Sequence, residues 1–193
     1  MKDRIVRFLN ALDAALIPVA AGERLDLYHI GRSALVWKHG FQSATEDVDV
    51  VQPRRDQRLI TQAVEWFGRG TSMAAEFGLY LEVVPAALPP VAGGSYKRAT
   101  EVSERWNVIR LFHLEDHDFA VTKLKRFSLK DQEDLRAMCD LGLLNPETLS
   151  LRVEAAYPWR LRDGKDDDAG REAADENVRV VVAYLQTGEW SGG

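Results

Sequence analysis

The sequence predicts an α+β (α/β) fold, with a sheet domain and interleaved helices over residues 1–112 followed by a helical region over residues 113–193. Three observations predict it. Short apolar runs bounded by glycine or proline alternate with helix-period segments in the first half. The elements there follow the order helix, strand, short helix, strand, helix, strand, long loop, strand. After Phe112 every periodic segment has helical spacing.

Each element has a local reason. Lys2 to Leu16 sets Ile5, Leu9, Leu12 and Leu16 along one helical stripe, with Pro18 and Gly22 expected to end it. Leu25 to Ile30 reads as a strand running into Gly31, and Ser33 is expected to N-cap a brief helix through His39 with Gly40 as its stop. Asp47 to Val51 is a strand closed by Pro53. Asp56 to Phe67 is an amphipathic helix through Leu59, Ile60, Ala63, Val64 and Phe67. Leu79 to Val84 is a third strand, stopped by Pro85. Residues 85–104 hold three prolines and the adjacent Gly93 and Gly94 without periodicity, so a long loop is expected. Trp106 to Phe112 resumes strand character.

The helical part is predicted in four pieces. His117 to Arg126 comes first, followed by a helix capped by Ser128 with Asp131 three residues on and a stop near Gly142. Asn145 caps the next, with Pro146 at its first position. Arg162 to Gly170, with its run of three aspartates, reads as a hydrophilic linker into a last helix from Arg171 to Gln186.

Composition narrows the function classes. A chain of 193 residues that is 46% hydrophobic and 28% charged can bury a sizeable core without disulfides or a structural metal. The lone Cys139 can form no intrachain bridge, so a reducing, cytoplasmic setting is expected. No apolar run reaches the roughly 18 residues of a membrane span, and Asp13 interrupts the most apolar early stretch, so neither a span nor a secretory signal is expected. Twenty-five basic against 30 acidic residues leave a net charge of −5, which disfavours long nucleic acid as a general electrostatic partner but leaves a local basic groove open.

The chemistry concentrates in three acids. Asp47 and Asp49 flank Val48 on one strand, so both carboxylates project from the same face, about 7 Å apart along it. Crowded carboxylates repel unless a cation sits between them, which makes such a pair a natural set of oxygen ligands for Mg²⁺. Asp-x-Asp also arises by chance as solvated surface charge. Glu82 sharpens the pattern, because it sits inside the apolar run Leu81-Glu82-Val83-Val84 and needs a partner there. If its strand adjoins that of Asp47, Glu82 joins the cluster; otherwise an arginine neutralises it.

Three stretches together resemble the nucleotidyltransferase superfamily of the polymerase-β type. They are Tyr28-His29-Ile30-Gly31-Arg32-Ser33-Ala34-Leu35, Thr45-Glu46-Asp47-Val48-Asp49-Val50-Val51, and Asp118 to Arg126 followed by Lys130-Asp131-Gln132-Glu133-Asp134. Within that superfamily the chain is similar to small bacterial nucleotidyltransferase-like proteins, including toxin components of abortive-infection systems. The resemblance implies a small mixed sheet flanked by helices and a Mg²⁺-dependent transfer of a nucleoside monophosphate from an NTP such as ATP. Asp47, Asp49 and Glu82 would hold the metal, and Glu82 would help deprotonate the attacking hydroxyl. Gly31, Arg32 and Ser33 would seat phosphate at a helix start, with Lys123 and Arg126 reaching the triphosphate from the helical part. Lys97, Arg98, Arg105 and Arg110 around the long loop offer a path for a tRNA end, while a chain of net charge −5 equally suits a protein or a small molecule as acceptor. No membrane partner is expected, and the likeness to toxin components implies an antitoxin partner if the chain is one of them.

Two departures from the pattern leave alternatives open. Arg32 stands where such families carry a second small residue, so it either closes the phosphate turn or replaces the arginine these proteins often carry at the position of Ser43. The first alternative gives a catalytically silent nucleotide- or partner-binding module. An unrelated α+β binding module with merely superficial acids is the third reading. The remaining candidates are bland: His113 and His117 flank a strand-to-helix turn without zinc spacing, and Cys139 sits among core residues. Asp131 and Asp134 read as helix acids for which the resemblance hints at a positioning role.

Overall fold

The computed structural model describes residues 1–53, 57–85, 91, 94–157 and 168–191. The chain divides into two compact units, Met1–Leu88 with Ala99–Leu114, and Pro89–Arg98 with Glu115–Gly193.

The first unit is an α+β structure on a five-stranded mixed sheet. Its elements are α1 (Lys2–Ala20), β1 (Leu25–His29), α2 (Gly31–His39), β2 (Asp47–Val51), α3 (Gln57–Phe67), α4 (Ser72–Phe77), β3 (Tyr80–Val84), β4 (Thr100–Glu101) and β5 (Ile109–His113). The strand order is β3-β2-β1-β5-β4, with β1 antiparallel to β2, parallel pairing of β2 with β3 and of β1 with β5, and β4 antiparallel to β5. Phe8, Leu9, Leu12 and Leu16 of α1 pack with Leu59, Ala63 and Phe67 of α3 and the inward residues Leu25, Leu27, Val48, Val50, Leu81 and Leu111 in one core. Phe8 meets Phe67 edge to face at 5.5 Å, an arrangement favoured by the ring quadrupoles.

Several boundaries differ from expectation for identifiable reasons. Helix α1 continues through Pro18 to Ala20, Pro18 forfeiting the one backbone bond its missing N–H would make; Ala21, with φ +50°, ends it. Ser33 is not the N-cap of α2. Ile30 holds that position and Ser33 lies in the first turn. Helix α4 went unpredicted, although Thr71 caps it by accepting from the Ala74 N–H and Gly78 closes it at φ +60°; six residues are too few for periodicity to show. The expected strand from Trp106 begins only at Ile109, since the N–H groups of Asn107, Val108 and Ile109 all go to the carboxylate of Asp13. That acid, in the middle of α1, is buried, and burial disfavours its charge while these donors together hold its pKa below the ordinary value. The expected start of α3 at Asp56 lies outside the described residues.

The second unit is helical: α5 (Ser95–Arg98), α6 (Asp116–Leu124), α7 (Leu129–Asp140), α8 (Pro146–Ala156) and α9 (Asp168–Thr187). Ser128 and Asp131 form a reciprocal capping box on α7, and Asn145 caps α8 with Pro146 behind it, both as the sequence predicts. The expected long loop contains α5 and β4 among its described residues; residues 86–90 and 92–93 lie outside them. The linker expected over Arg162 to Gly170 lies outside the described residues as far as 167, and α9 already begins at Asp168. Asp118 is fully buried and receives Arg98 Nε at 2.9 Å and Nη2 at 2.8 Å, a bidentate pair that ties α5 to α6. Cys139 is buried, which pushes its thiol up to about 11. Among the described residues no helix is long and apolar enough to cross a membrane.

Candidate active site

Parallel pairing of β2 with β3 sets Asp47 opposite Tyr80 and Asp49 opposite Glu82. Val48 and Val50 turn into the core, so alternation sends both aspartates to the other face, where Tyr80 and Glu82 join them. The result is a cluster in which Asp47, Asp49 and Glu82 each offer a carboxylate oxygen, these atoms all lying within 4.8 Å of one another. The two aspartates are partly buried and Glu82 is exposed. Pairs of like charges at that spacing repel by about 1 kcal/mol in water and about 3 kcal/mol at an effective dielectric constant near 20. The cluster therefore favours any divalent cation, and its all-oxygen donor set fits Mg²⁺.

The surrounding protein orients these acids. The Thr45 hydroxyl donates to Asp47 Oδ1 at 2.6 Å, and Arg4 of α1 fixes Thr45 in turn by donating to its carbonyl at 2.8 Å. Asp49 is held from the β1 side. The Ile30 N–H donates to the Asp49 carbonyl at 2.9 Å, and Gly31 then packs directly on the Asp49 side chain. A methyl group on Gly31 would fall 1.9 Å from Asp49 Oδ2 and 2.8 Å from its Cβ, and the residue also takes φ +69°. Glycine is required there on both counts.

On the opposite side, Arg69 lies over the Tyr80 ring at 4.3 Å, donates to the Tyr80 hydroxyl, and comes within 3.8 Å of Glu82. Partial burial raises the Tyr80 hydroxyl pKa, and the carboxylates of Asp47, Glu82 and Asp49 add to the rise while Arg69 opposes it. Sequence reasoning assigned no role to Thr45, Arg69 or Tyr80. Thr45 has a readable signal, a hydroxyl two residues before an acid; Arg69 has none, because its contacts follow from the turn between α3 and α4.

The three residues expected to seat phosphate have distinct fates. The first turn of α2 presents its backbone next to Asp49 through Gly31. Arg32 Nη1 donates to Ser43 Oγ at 3.3 Å, so its guanidinium stands beside the position where the resembling families carry an arginine. Ser33 is fully buried and its hydroxyl pairs with His29 Nε2 at 2.9 Å, so its side chain faces the core and not a ligand.

Lys123 and Arg126 belong to the second unit. Lys123 is 5% exposed and its Nζ lies 2.7 Å from Asp134 and 3.4 Å from Asp131. Arg126 grips Asp131 with Nε at 2.7 Å and Nη2 at 2.8 Å. Burial alone would raise the Asp131 pKa, but the hydrogen bonds from Arg126 and Ser128, with the charge of Lys123, hold it at about 2. These four residues thus tie α6 to α7 as a charge-balanced cluster.

No curated protein and no solved structure matches the chain. The sheet that carries three converging carboxylates, and the glycine turn against one of them, lie within residues 8–163, which match a family model described as "Nucleotidyltransferase of unknown function (DUF6036)". The match covers well over half of the chain, and the protein belongs to that nucleotidyltransferase family.

Proposed function

We propose that the protein is a Mg²⁺-dependent enzyme that transfers a nucleoside monophosphate from an NTP to an acceptor hydroxyl. The observation that supports this most is the convergence of Asp47, Asp49 and Glu82 within 4.8 Å, next to a helix start that only glycine can open. Asp47, Asp49 and Glu82 would hold the metal. Bound there, Mg²⁺ supplies neutralisation of triphosphate charge and polarisation of phosphoryl oxygens.

The chain's own residues do the rest. Thr45 and Gly31 keep the two aspartates in place before substrate arrives, so little reorganisation is needed at the moment of reaction. The first-turn N–H groups of α2 favour an anion at that point, and Arg32, anchored on Ser43, adds a cation beside it. Glu82, the most exposed of the three acids, accepts the proton of the incoming hydroxyl. Catalysis rests on alignment and charge rather than on a covalent intermediate.

The acceptor belongs to one of three classes, a tRNA end, a protein hydroxyl or a small molecule, and an adjacent antitoxin-like gene would point to a growth-inhibiting role. The test is incubation with labelled NTPs, Mg²⁺ and each acceptor class, alongside Asp47→Ala and Asp49→Ala. Transfer of label that both variants abolish supports the assignment, and transfer that survives either one counts against it. Tight ATP binding without pyrophosphate release in any acceptor screen would select the catalytically silent reading instead.

A further inference from the structure

We propose that His29 is a positioning residue for this site: acting through Ser33, it sets where the first turn of α2 stands relative to Asp49. The inference rests on the nucleotide and metal reading given above.

His29 ends β1 and turns its ring into the core, where it is 0% exposed. There it stacks on His113 at 5.3 Å and 27°, and meets Trp37 edge on at 6.2 Å. Its Nε2 reaches Ser33 Oγ at 2.9 Å, a contact between two fully buried side chains four residues apart. The intervening residues carry the ties to the acid cluster, since Ile30 donates to the Asp49 carbonyl at 2.9 Å and Gly31 packs against the Asp49 carboxylate. The His29–Ser33 bond closes this loop from the core side. Strand end, turn and helix start are fixed as one piece against β2.

Fold stability alone gives little reason for an imidazole here. Its Nδ1 has no hydrogen-bond partner, and a buried polar atom left unpaired costs free energy that an apolar ring of the same size would avoid. The tautomer that avoids a bare buried N–H places the proton on Nε2, so that His29 donates to Ser33 Oγ and Nδ1 keeps only a lone pair. What the imidazole adds over phenylalanine is this one directed bond. Its length decides how far the first-turn N–H groups of α2 stand from the metal-ligand strand, and therefore whether a phosphate can meet both at once.

The experiment uses full-length protein with His29→Phe, His29→Gln, Ser33→Ala and the His29→Phe/Ser33→Ala double variant. Calorimetry measures binding of Mn²⁺ alone and of α,β-methylene-ATP with Mg²⁺. Hydrogen exchange follows the backbone amides of residues 31–35. His29→Phe and Ser33→Ala are expected to weaken nucleotide binding tenfold or more and to speed exchange in that turn by a similar factor. The double variant is expected to lose no more than either single one, and His29→Gln, whose amide nitrogen can reach Ser33, to recover most of the loss. Mn²⁺ affinity is expected to stay within about threefold, because its ligands sit on β2 and β3; a merely destabilised fold would lose both. Should His29→Phe fail to fold, Ser33→Ala carries the same comparison. Unchanged nucleotide binding and exchange in the single variants overturns the positioning role alone. Absence of nucleotide binding by the unaltered protein overturns the functional reading itself, and the exchange rates then still decide whether His29 fixes the turn.

Discussion

Replacing Gly31 by alanine tests the tightest contact in the site, and the protein supplies its own control. Gly31 and Gly40 share nearly the same backbone angle, φ +69° and +70°, at the two ends of α2. A side chain at either position is strained by about 1 to 2 kcal/mol in the left-handed region. At Gly40 a new Cβ meets nothing within 4 Å, so that is the whole effect there. At Gly31 the same Cβ falls 1.9 Å from Asp49 Oδ2, 2.7 Å from Cγ and 2.8 Å from Cβ, where carbon atoms ordinarily keep about 3.5 Å or more. Rotating the carboxylate relieves the first clash only. The Cβ of Asp49 belongs to the strand, so either β2 or the start of α2 must shift by roughly 1 Å, an overpacking strain of about 1 to 3 kcal/mol beyond the backbone effect. Urea unfolding of the two variants, with Mn²⁺ titration of each, reads both consequences. Gly31→Ala is expected to be the less stable by about 1 to 3 kcal/mol and to bind Mn²⁺ at least tenfold more weakly, while Gly40→Ala binds it as the unaltered protein does. Equal stability losses and equal metal affinity in the two variants would refute the reasoning.

Three further predictions concern the fold and the cluster. Asp13→Ala leaves the N–H groups of Asn107, Val108 and Ile109 without their acceptor, and a loss of about 3 kcal/mol or more is expected in denaturant unfolding; a loss under about 1 kcal/mol would show that water replaces the carboxylate. His113 is 7% exposed and burial, with Lys38, His39 and Lys2 against it and only Glu104 in favour, lowers its pKa to about 4. The folded protein therefore resists a proton that the unfolded chain accepts below pH 6.5, so this group's contribution is full above 6.5 and falls by about 3 kcal/mol as pH drops toward 4; His113→Phe should make the window shallower, leaving the slope that His29 adds because burial lowers its pKa too, and parallel pH curves for the two proteins would contradict this. Mn²⁺ at 100 times its dissociation constant should stabilise the protein by about 2.7 kcal/mol, read as a shift of the urea midpoint, and Asp49→Asn should abolish the shift while its persistence would place the ion elsewhere.

What could be read ahead of the structure depended on how far apart the causes lie. The shared face of Asp47 and Asp49 follows from strand alternation over three residues, and Glu82 announces itself as a charge inside an apolar run. The caps of α7 and α8 are equally local, written in Ser128, Asp131, Asn145 and Pro146. Asp13 shows the limit. Its charge was visible, but its acceptor role depends on a segment more than 90 residues away. Ser33 looked like a cap because a hydroxyl before an apolar stretch usually is one, whereas the turn at Gly31 brings the helix in early and hands that hydroxyl to His29. Strand β4 has two residues and α5 has four, too short for any period to register.

The position of β5 has a consequence for biogenesis. It pairs in parallel with β1, joining Leu25 to Ile109, so the middle of the sheet waits for a strand the ribosome makes more than 80 residues after its neighbour. The stretch assigned to the other unit, Pro89–Arg98, is also made ahead of the Asp118 that neutralises Arg98. Such distant pairing slows closure of the sheet. A chain ending before residue 109 would leave the β5 side of β1 unpaired, an open edge that can pair with another chain.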